Sequence, residues 1–222
     1  MLYEVIRRTL APAARLVYRP TVVGLANVPR GGAVILASNH LSFVDSVVIP
    51  LVARRQVAFL AKSEYFRGRG SRQRLVGALL GALGHVPVER GKGRASLVAL
   101  DVATEVLTAG GAFGIYPEGT RSLDGRLHRG HTGVAQLTLT TGAPVVPVAL
   151  IGTDLMMPVG ARIPRRRPVT VRFGTPLDFT RYDGLADSPA VRRSVTDEIM
   201  YAILELSGQE YVDEYHRRPD AA

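Results

Sequence analysis

Cysteine is absent from this 222-residue chain, which excludes disulfides and thiolate chemistry. Aromatic residues are scarce at 6%, and they do not alternate with basic ones. That pattern argues against a nucleic-acid groove, where bases stack on aromatic side chains, and no nucleic-acid partner is expected. Long apolar runs are missing too. A membrane-spanning helix needs roughly 18 to 20 uncharged apolar residues. The most apolar stretches, 44–53 and 75–88, are shorter or broken by Pro50, Gly77, Gly81 and Gly84. A secretory leader is not expected, because Glu4, Arg7 and Arg8 stand where its apolar stretch would lie. Lysine is nearly absent as well: of 28 basic residues only Lys62 and Lys92 are lysine.

The positive charge is abundant and uneven. The net formal charge is +9, but residues 1–100 carry 15 basic against 4 acidic side chains. Residues 178–222 reverse the balance, with 5 basic against 10 acidic. A basic half favours an anionic partner such as a phospholipid surface or a phosphorylated substrate. At 46% hydrophobic residues the chain is able to bury one substantial core, so one domain is expected.

Periodicity predicts an α/β organisation. Leu2, Ile6, Leu10, Ala13 and Val17 form an amphipathic stripe over residues 2–18, either a membrane-associating helix or one packed on its own domain. Short apolar runs at 21–24, 33–37, 57–61, 85–89, 112–116, 145–150 and 169–173 read as strands. Between them, 43–52, 72–83, 95–109, 132–141 and 191–206 read as helices, with Ser42 as N-cap of the first. Pro147 predicts that its strand lies at an edge or a bulge. Alternation of this kind implies a single domain with a mostly parallel central sheet flanked by helices. The expected division is an N-terminal helix over 1–20, a domain over 21–210 and a flexible tail over 211–222.

Two polar turns follow buried strands, which is where α/β proteins place chemistry. After Ala33–Ala37 comes Ser38-Asn39-His40-Leu41-Ser42-Phe43-Val44-Asp45. Histidine takes a proton near neutral pH, and a carboxylate such as Asp45 fixes its tautomer and orientation. Taken alone the spacing has ordinary explanations, such as an acid placed at a helix N-terminus. Ser42 is a poor nucleophile because no G-x-S-x-G elbow surrounds it. No other His and acidic residues show ligand spacing, so no metal is expected. After 112–116 comes Tyr116-Pro117-Glu118-Gly119-Thr120-Arg121-Ser122, whose glycine and donors suit a phosphate. A third turn carries Arg90 and Lys92 after the strand at 85–89.

In this order and spacing the segments resemble the glycerophospholipid acyltransferase family, typified by PlsC-like 1-acyl-glycerol-3-phosphate (lysophosphatidate) acyltransferases. Asn39, His40 and Asp45 match its N-H-x4-D motif. Tyr116 through Ser122 match [FY]-P-E-G-T-R-S without a mismatch. Gly84, Val86, Val88 and Arg90 match a third motif, in which Pro87 replaces the usual aromatic. Val145-Val146-Pro147-Val148-Ala149 matches a fourth, and Ala61 through Phe66 resemble the family's A-K-x-E-[LF] segment. The resemblance spans residues 21–175.

The resemblance implies acyl transfer without a covalent enzyme intermediate. His40 would act as general base, oriented by Asp45, and the acceptor hydroxyl would attack the thioester of acyl-CoA or acyl carrier protein. Gly119, Thr120, Arg121 and Arg90 would hold the acceptor phosphate, joined by Lys62 and Lys92. Glu118 belongs to the same group, though its charge suits it better to orienting Arg121 or a backbone amide. No cofactor is implied. The partners would be lysophosphatidate and an anionic membrane surface, met peripherally from the cytoplasmic face. Glycerol-3-phosphate or another lysolipid remains open as acceptor. A thioesterase and a non-catalytic anionic-lipid-binding protein remain open as different classes.

Overall fold

The computed structural model describes residues 12, 14–67, 70–88, 94–161 and 163–216. Most of the expected N-terminal helix lies outside them, as do Arg90 and Lys92. Residues 14–18 are helical, and Arg15 donates to the carbonyls of Leu51 and Val52 at 2.9 and 3.2 Å. Among the described residues no helix is long and apolar enough to cross a membrane.

The chain runs through β1 (Thr21–Val23), β2 (Val34–Ser38), α1 (Asp45–Val52) and β3 (Val57–Lys62). It continues with α2 (Glu64–Arg67), α3 (Ser71–Ala82), β4 (Val86–Val88), α4 (Arg94–Thr108) and β5 (Ala112–Ile115). The last third holds β6 (Leu127–His128), α5 (Gly133–Thr141), β7 (Val145–Ile151), α6 (Thr153–Met156), β8 (Thr170–Phe173), α7 (Pro189–Ser207) and β9 (Tyr211–Val212). Seven strands form one sheet in the order β1-β8-β7-β2-β5-β3-β4. Every neighbouring pair is parallel except β7 and β8. The mostly parallel α/β domain read from the sequence is therefore the fold observed.

Both faces of this sheet are buried, as parallel strands require. Strand side chains alternate, so Val34 and Leu36 of β2 enter one core while Ile35 and Ala37 enter the other. The first core is closed by Ile49 and Val52 of α1. The second is closed by Leu107 of α4, Leu137 of α5 and Ile199 of α7. Each such fully buried side chain contributes roughly 1.5–3 kcal/mol of transfer free energy. Two glycines set close approaches. A Cβ on Gly114 of β5 would stand 2.1 Å from the Phe59 ring, and one on Gly77 of α3 would stand 2.7 Å from the Tyr65 carbonyl.

Of the two expectations for Pro147, the bulge holds and the edge does not: it sits inside the sheet, where residues 146–147 face three residues, 174–176. Its carbonyl accepts from Gly174 at 2.8 Å, so its nitrogen faces the same side. There the neighbouring chain leaves the ladder between Phe173, paired with Val148, and Leu177, which bridges Val145. The missing N–H thus falls where no acceptor is aligned, and a central strand tolerates it. A difference from expectation lies at the C-terminus. Tyr211 and Val212, assigned to a flexible tail, pair with Leu127 and His128 as the two-stranded sheet β6–β9.

Candidate active site

The sheet brings the two polar turns side by side. β2 and β5 are parallel neighbours, and the turns leave their C-terminal ends. His40 Nδ1 lies 2.8 Å from Asp45 Oδ2. The same oxygen accepts the backbone N–H groups of Leu41 and Ser42 at 2.7 and 2.8 Å. Asp45 is fully buried, and His40 nearly so. Three donors on one buried oxygen fix the carboxylate, and the carboxylate in turn holds Nδ1 as the protonated nitrogen. Ser42 does not cap α1, whose N-cap is Val44. Its hydroxyl donates to the Met157 carbonyl at 2.8 Å instead of accepting a helix amide.

Tyr116 stacks on His40 with ring centroids 3.9 Å apart and planes 10° from parallel. Phe59 stacks on Tyr116 at 5.3 Å, and His85 on Phe59 at 5.6 Å. The Tyr116 hydroxyl lies 3.0 Å from Ser46 Oγ of α1. An aromatic column therefore backs the imidazole and limits its rotation. Burial pulls His85 down from 6.5 to about 4, so it is neutral at physiological pH.

Glu118 ties the turns together. It is buried, and its two oxygens accept the backbone N–H groups of His40 at 3.2 Å and of His128 at 3.0 Å. The His40 carbonyl accepts from the Ser122 amide at 2.7 Å. Glu118 was grouped by sequence with the phosphate ligands; its carboxylate is occupied by the two amides instead. Burial pushes it up from 4.5 to about 7 against the two N–H bonds, with Asp124 and Asp45 adding to the rise.

A residue that sequence reasoning missed is Gln209. Asn39 is fully buried and spans β7, accepting from the Leu150 amide at 2.8 Å and donating to its carbonyl at 2.9 Å. The second hydrogen of the Asn39 amide goes to Gln209 Oε1 at 2.8 Å, and Gln209 Nε2 donates to the Gly125 carbonyl at 2.7 Å. Tyr215 stacks on His131 at 4.6 Å, and His131 lies against Gly119. The C-terminal segment therefore straps both turns. No local pattern near Gln209 signals this.

The remaining ligands divide. Gly119 is exposed, with φ +72°, and Thr120 and Arg121 are half-buried beside it. Arg121 borders an apolar cavity of about 280 Å³ whose walls include Phe43, Tyr65, Val76 and Met157. Lys62 is exposed at the end of β3. One further grouping appears, where Asp124, His128 and His216 bring ligand atoms within 4.8 Å of one another. Asp124 is already engaged by Ser122 Oγ, by Arg126 and by His128. The Arg126 guanidinium supplies the charge that a cation would bring.

Comparison with known proteins places this architecture. A family model described as Acyltransferase matches residues 19–151, which include both polar turns and the strands that carry them. A chloroplast 1-acyl-sn-glycerol-3-phosphate acyltransferase of Brassica napus is 31% identical over 77% of this chain and 48% of its own length. A protein of the same name from Borreliella burgdorferi is 29% identical over 60% of this chain and 51% of its own length. The chain thus spans about half the length of these curated relatives. In fold it is similar to the 1-acyl-sn-glycerophosphate acyltransferase PlsC of Thermotoga maritima, with a TM-score of 0.66 and 24% identity, covering 91% of this chain and 82% of that one. The family match takes in more than half of the chain and both polar turns, and the chain belongs to the acyltransferase family.

Proposed function

We propose that the chain transfers a fatty acyl group from acyl-CoA or acyl carrier protein to the free hydroxyl of 1-acyl-glycerol-3-phosphate, at the cytoplasmic face of an anionic membrane. The observation that carries this reading is the buried His40–Asp45 pair, 2.8 Å apart, on the same turn as Phe43, which lines an apolar cavity. With Nδ1–H committed to Asp45, Nε2 is the nitrogen that removes the acceptor proton. The alkoxide attacks the thioester carbonyl, and the thiol of the donor leaves. Asp45 stabilises the imidazolium formed in that step, and the aromatic column keeps the ring in place. Ser42 takes no covalent role, since its hydroxyl is held by Met157.

The acceptor phosphate is assigned to Arg121 and Thr120, with Gly119 providing room for close approach. Arg121 makes no ion pair with a described residue, so its charge is available for an anion. Arg90, Lys92 and Lys62 are kept as further ligands on the basis of the motif match. The apolar cavity receives acyl chain, where each buried methylene adds about 0.8 kcal/mol. The names of the relatives support lysophosphatidate over other acceptors.

The test measures CoA release from one acyl-CoA with and without lysophosphatidate. Acceptor-dependent release supports the transferase. Acceptor-independent release identifies a thioesterase, and no release leaves a binding protein. His40→Ala is expected to lower turnover by about 10²–10⁴-fold with acceptor binding retained. Near-wild-type turnover in that variant overturns the assignment of the base.

A further inference from the structure

The loop after α6 combines residues of two characters. Its ends are closed by the Arg165 amide on the Met156 carbonyl at 2.7 Å, and the Ala161 amide on Pro158 at 3.0 Å tightens it within. Met157, Pro158 and Ala161 form part of the cavity wall, and the Met157 carbonyl holds Ser42. By contrast, Leu155 of α6 and Val159 and Ile163 of the loop are 60%, 68% and 75% exposed. Three large aliphatic side chains are thus exposed within nine residues of chain, a denser apolar display than the scattered apolar residues of an ordinary surface.

Charge completes the pattern. Arg165, Arg166 and Arg167 are consecutive and exposed, and none pairs with a carboxylate among the described residues. Arg126, Arg181 and Arg193 all do. Aliphatic tips beside an unpaired guanidinium cluster match the chemistry of a bilayer interface. Hydrocarbon accepts the former, and lipid phosphates accept the latter. Residues 155–167 also lie beyond the stretch matched by the family model.

We infer that this loop is a membrane-docking element, with Leu155, Val159 and Ile163 seated in the acyl boundary and Arg165–Arg167 on anionic headgroups. The inference rests on the reading of the chain as an enzyme of lipid substrates and gives that reading a geometry. Because the loop also walls the cavity, docking sets the cavity beside the bilayer, and an acyl chain passes between them without crossing water. An acidic protein surface, such as that of a carrier protein, satisfies the arginines but leaves three aliphatic side chains unmatched. The bilayer is therefore favoured.

The experiment is co-sedimentation of the full chain, without substrates, on phosphatidylcholine vesicles with and without phosphatidylglycerol. Wild type is expected to bind the anionic vesicles at least tenfold more tightly and to lose binding as salt rises. The double variant Val159→Asp/Ile163→Asp and the triple variant Arg165→Gln/Arg166→Gln/Arg167→Gln are each expected to weaken that binding at least tenfold. Turnover on a short-chain acceptor below its micellar concentration, and the thermal midpoint, stay unchanged. Both variants binding vesicles like wild type overturns the inference. So does wild type that binds an acidic carrier protein but no vesicle. Vesicle binding is read without turnover, so failure of the acyltransferase reading appears separately, in the CoA-release assay.

Discussion

Replacing Glu118 by glutamine tests whether a buried, titrating carboxyl clamps the two turns. The shift of Glu118 from 4.5 to about 7 corresponds to roughly 3 kcal/mol between its ionised and neutral forms. Its folded value is raised, so the sign is set. Below about pH 4.5 the group is protonated in both states and costs nothing. As pH rises through 7, the folded state ionises a carboxyl that the unfolded chain ionised more easily, and stability falls. His85 acts in the opposite sense over an overlapping window. Its folded value is lowered from 6.5 to about 4, so its contribution is present above 6.5 and lost as pH falls toward 4. The two terms nearly cancel in wild type, which is expected to show a flat profile between pH 5 and 7. The informative quantity is the difference between variant and wild type. Glutamine has the shape of the protonated acid and does not titrate. The stability of Glu118→Gln relative to wild type is expected to rise by roughly 2–3 kcal/mol between pH 5 and pH 8. For a urea slope near 2 kcal/mol/M that is a relative midpoint shift of about 1 M. Urea titrations of both proteins at four pH values measure it. A difference that stays constant with pH refutes the reasoning, because it means that Glu118 does not titrate in this window.

Two other outcomes are expected. Arg121→Ala raises the acceptor KM about tenfold or more and leaves kcat within a few-fold, since a charge-assisted hydrogen bond contributes about 1.5–3 kcal/mol; an unchanged KM removes Arg121 from the phosphate site. Gln209→Ala leaves an Asn39 amide hydrogen without its partner, at a cost of about 1–3 kcal/mol, and lowers kcat more than it raises KM; a variant with unaltered turnover shows that the strap serves stability alone.

Much of this site was legible because its chemistry is local. His40 and Asp45 lie on one turn, and five residues of chain bring their side chains into contact. Tyr116 through Ser122 likewise form one turn after one strand, and apolar runs of strand length announced the sheet that carries both. What the sequence misjudged depended on partners distant in the chain. Ser42 read as a cap because nothing local shows that Asp45 takes the neighbouring amides while Met157 takes the hydroxyl. Pro147 stayed open between an edge and a bulge, because a strand says nothing of where its neighbour departs from the ladder.

By itself, then, the sequence determined an α/β chain without cysteine, a basic N-terminal half and a histidine–aspartate pair on one turn. Only the tertiary structure decided that Glu118 spends its carboxylate on backbone amides, since those amides belong to His40 and His128 in separate segments. Only it decided that the C-terminal segment reaches Asn39 through Gln209, and that the loop after α6 walls the cavity while leaving Val159 and Ile163 exposed. The physical reason is the same in each case. Hydrophobic periodicity depends on neighbours three or four residues away, whereas satisfying a buried donor or acceptor depends on whichever group the fold brings within 3 Å.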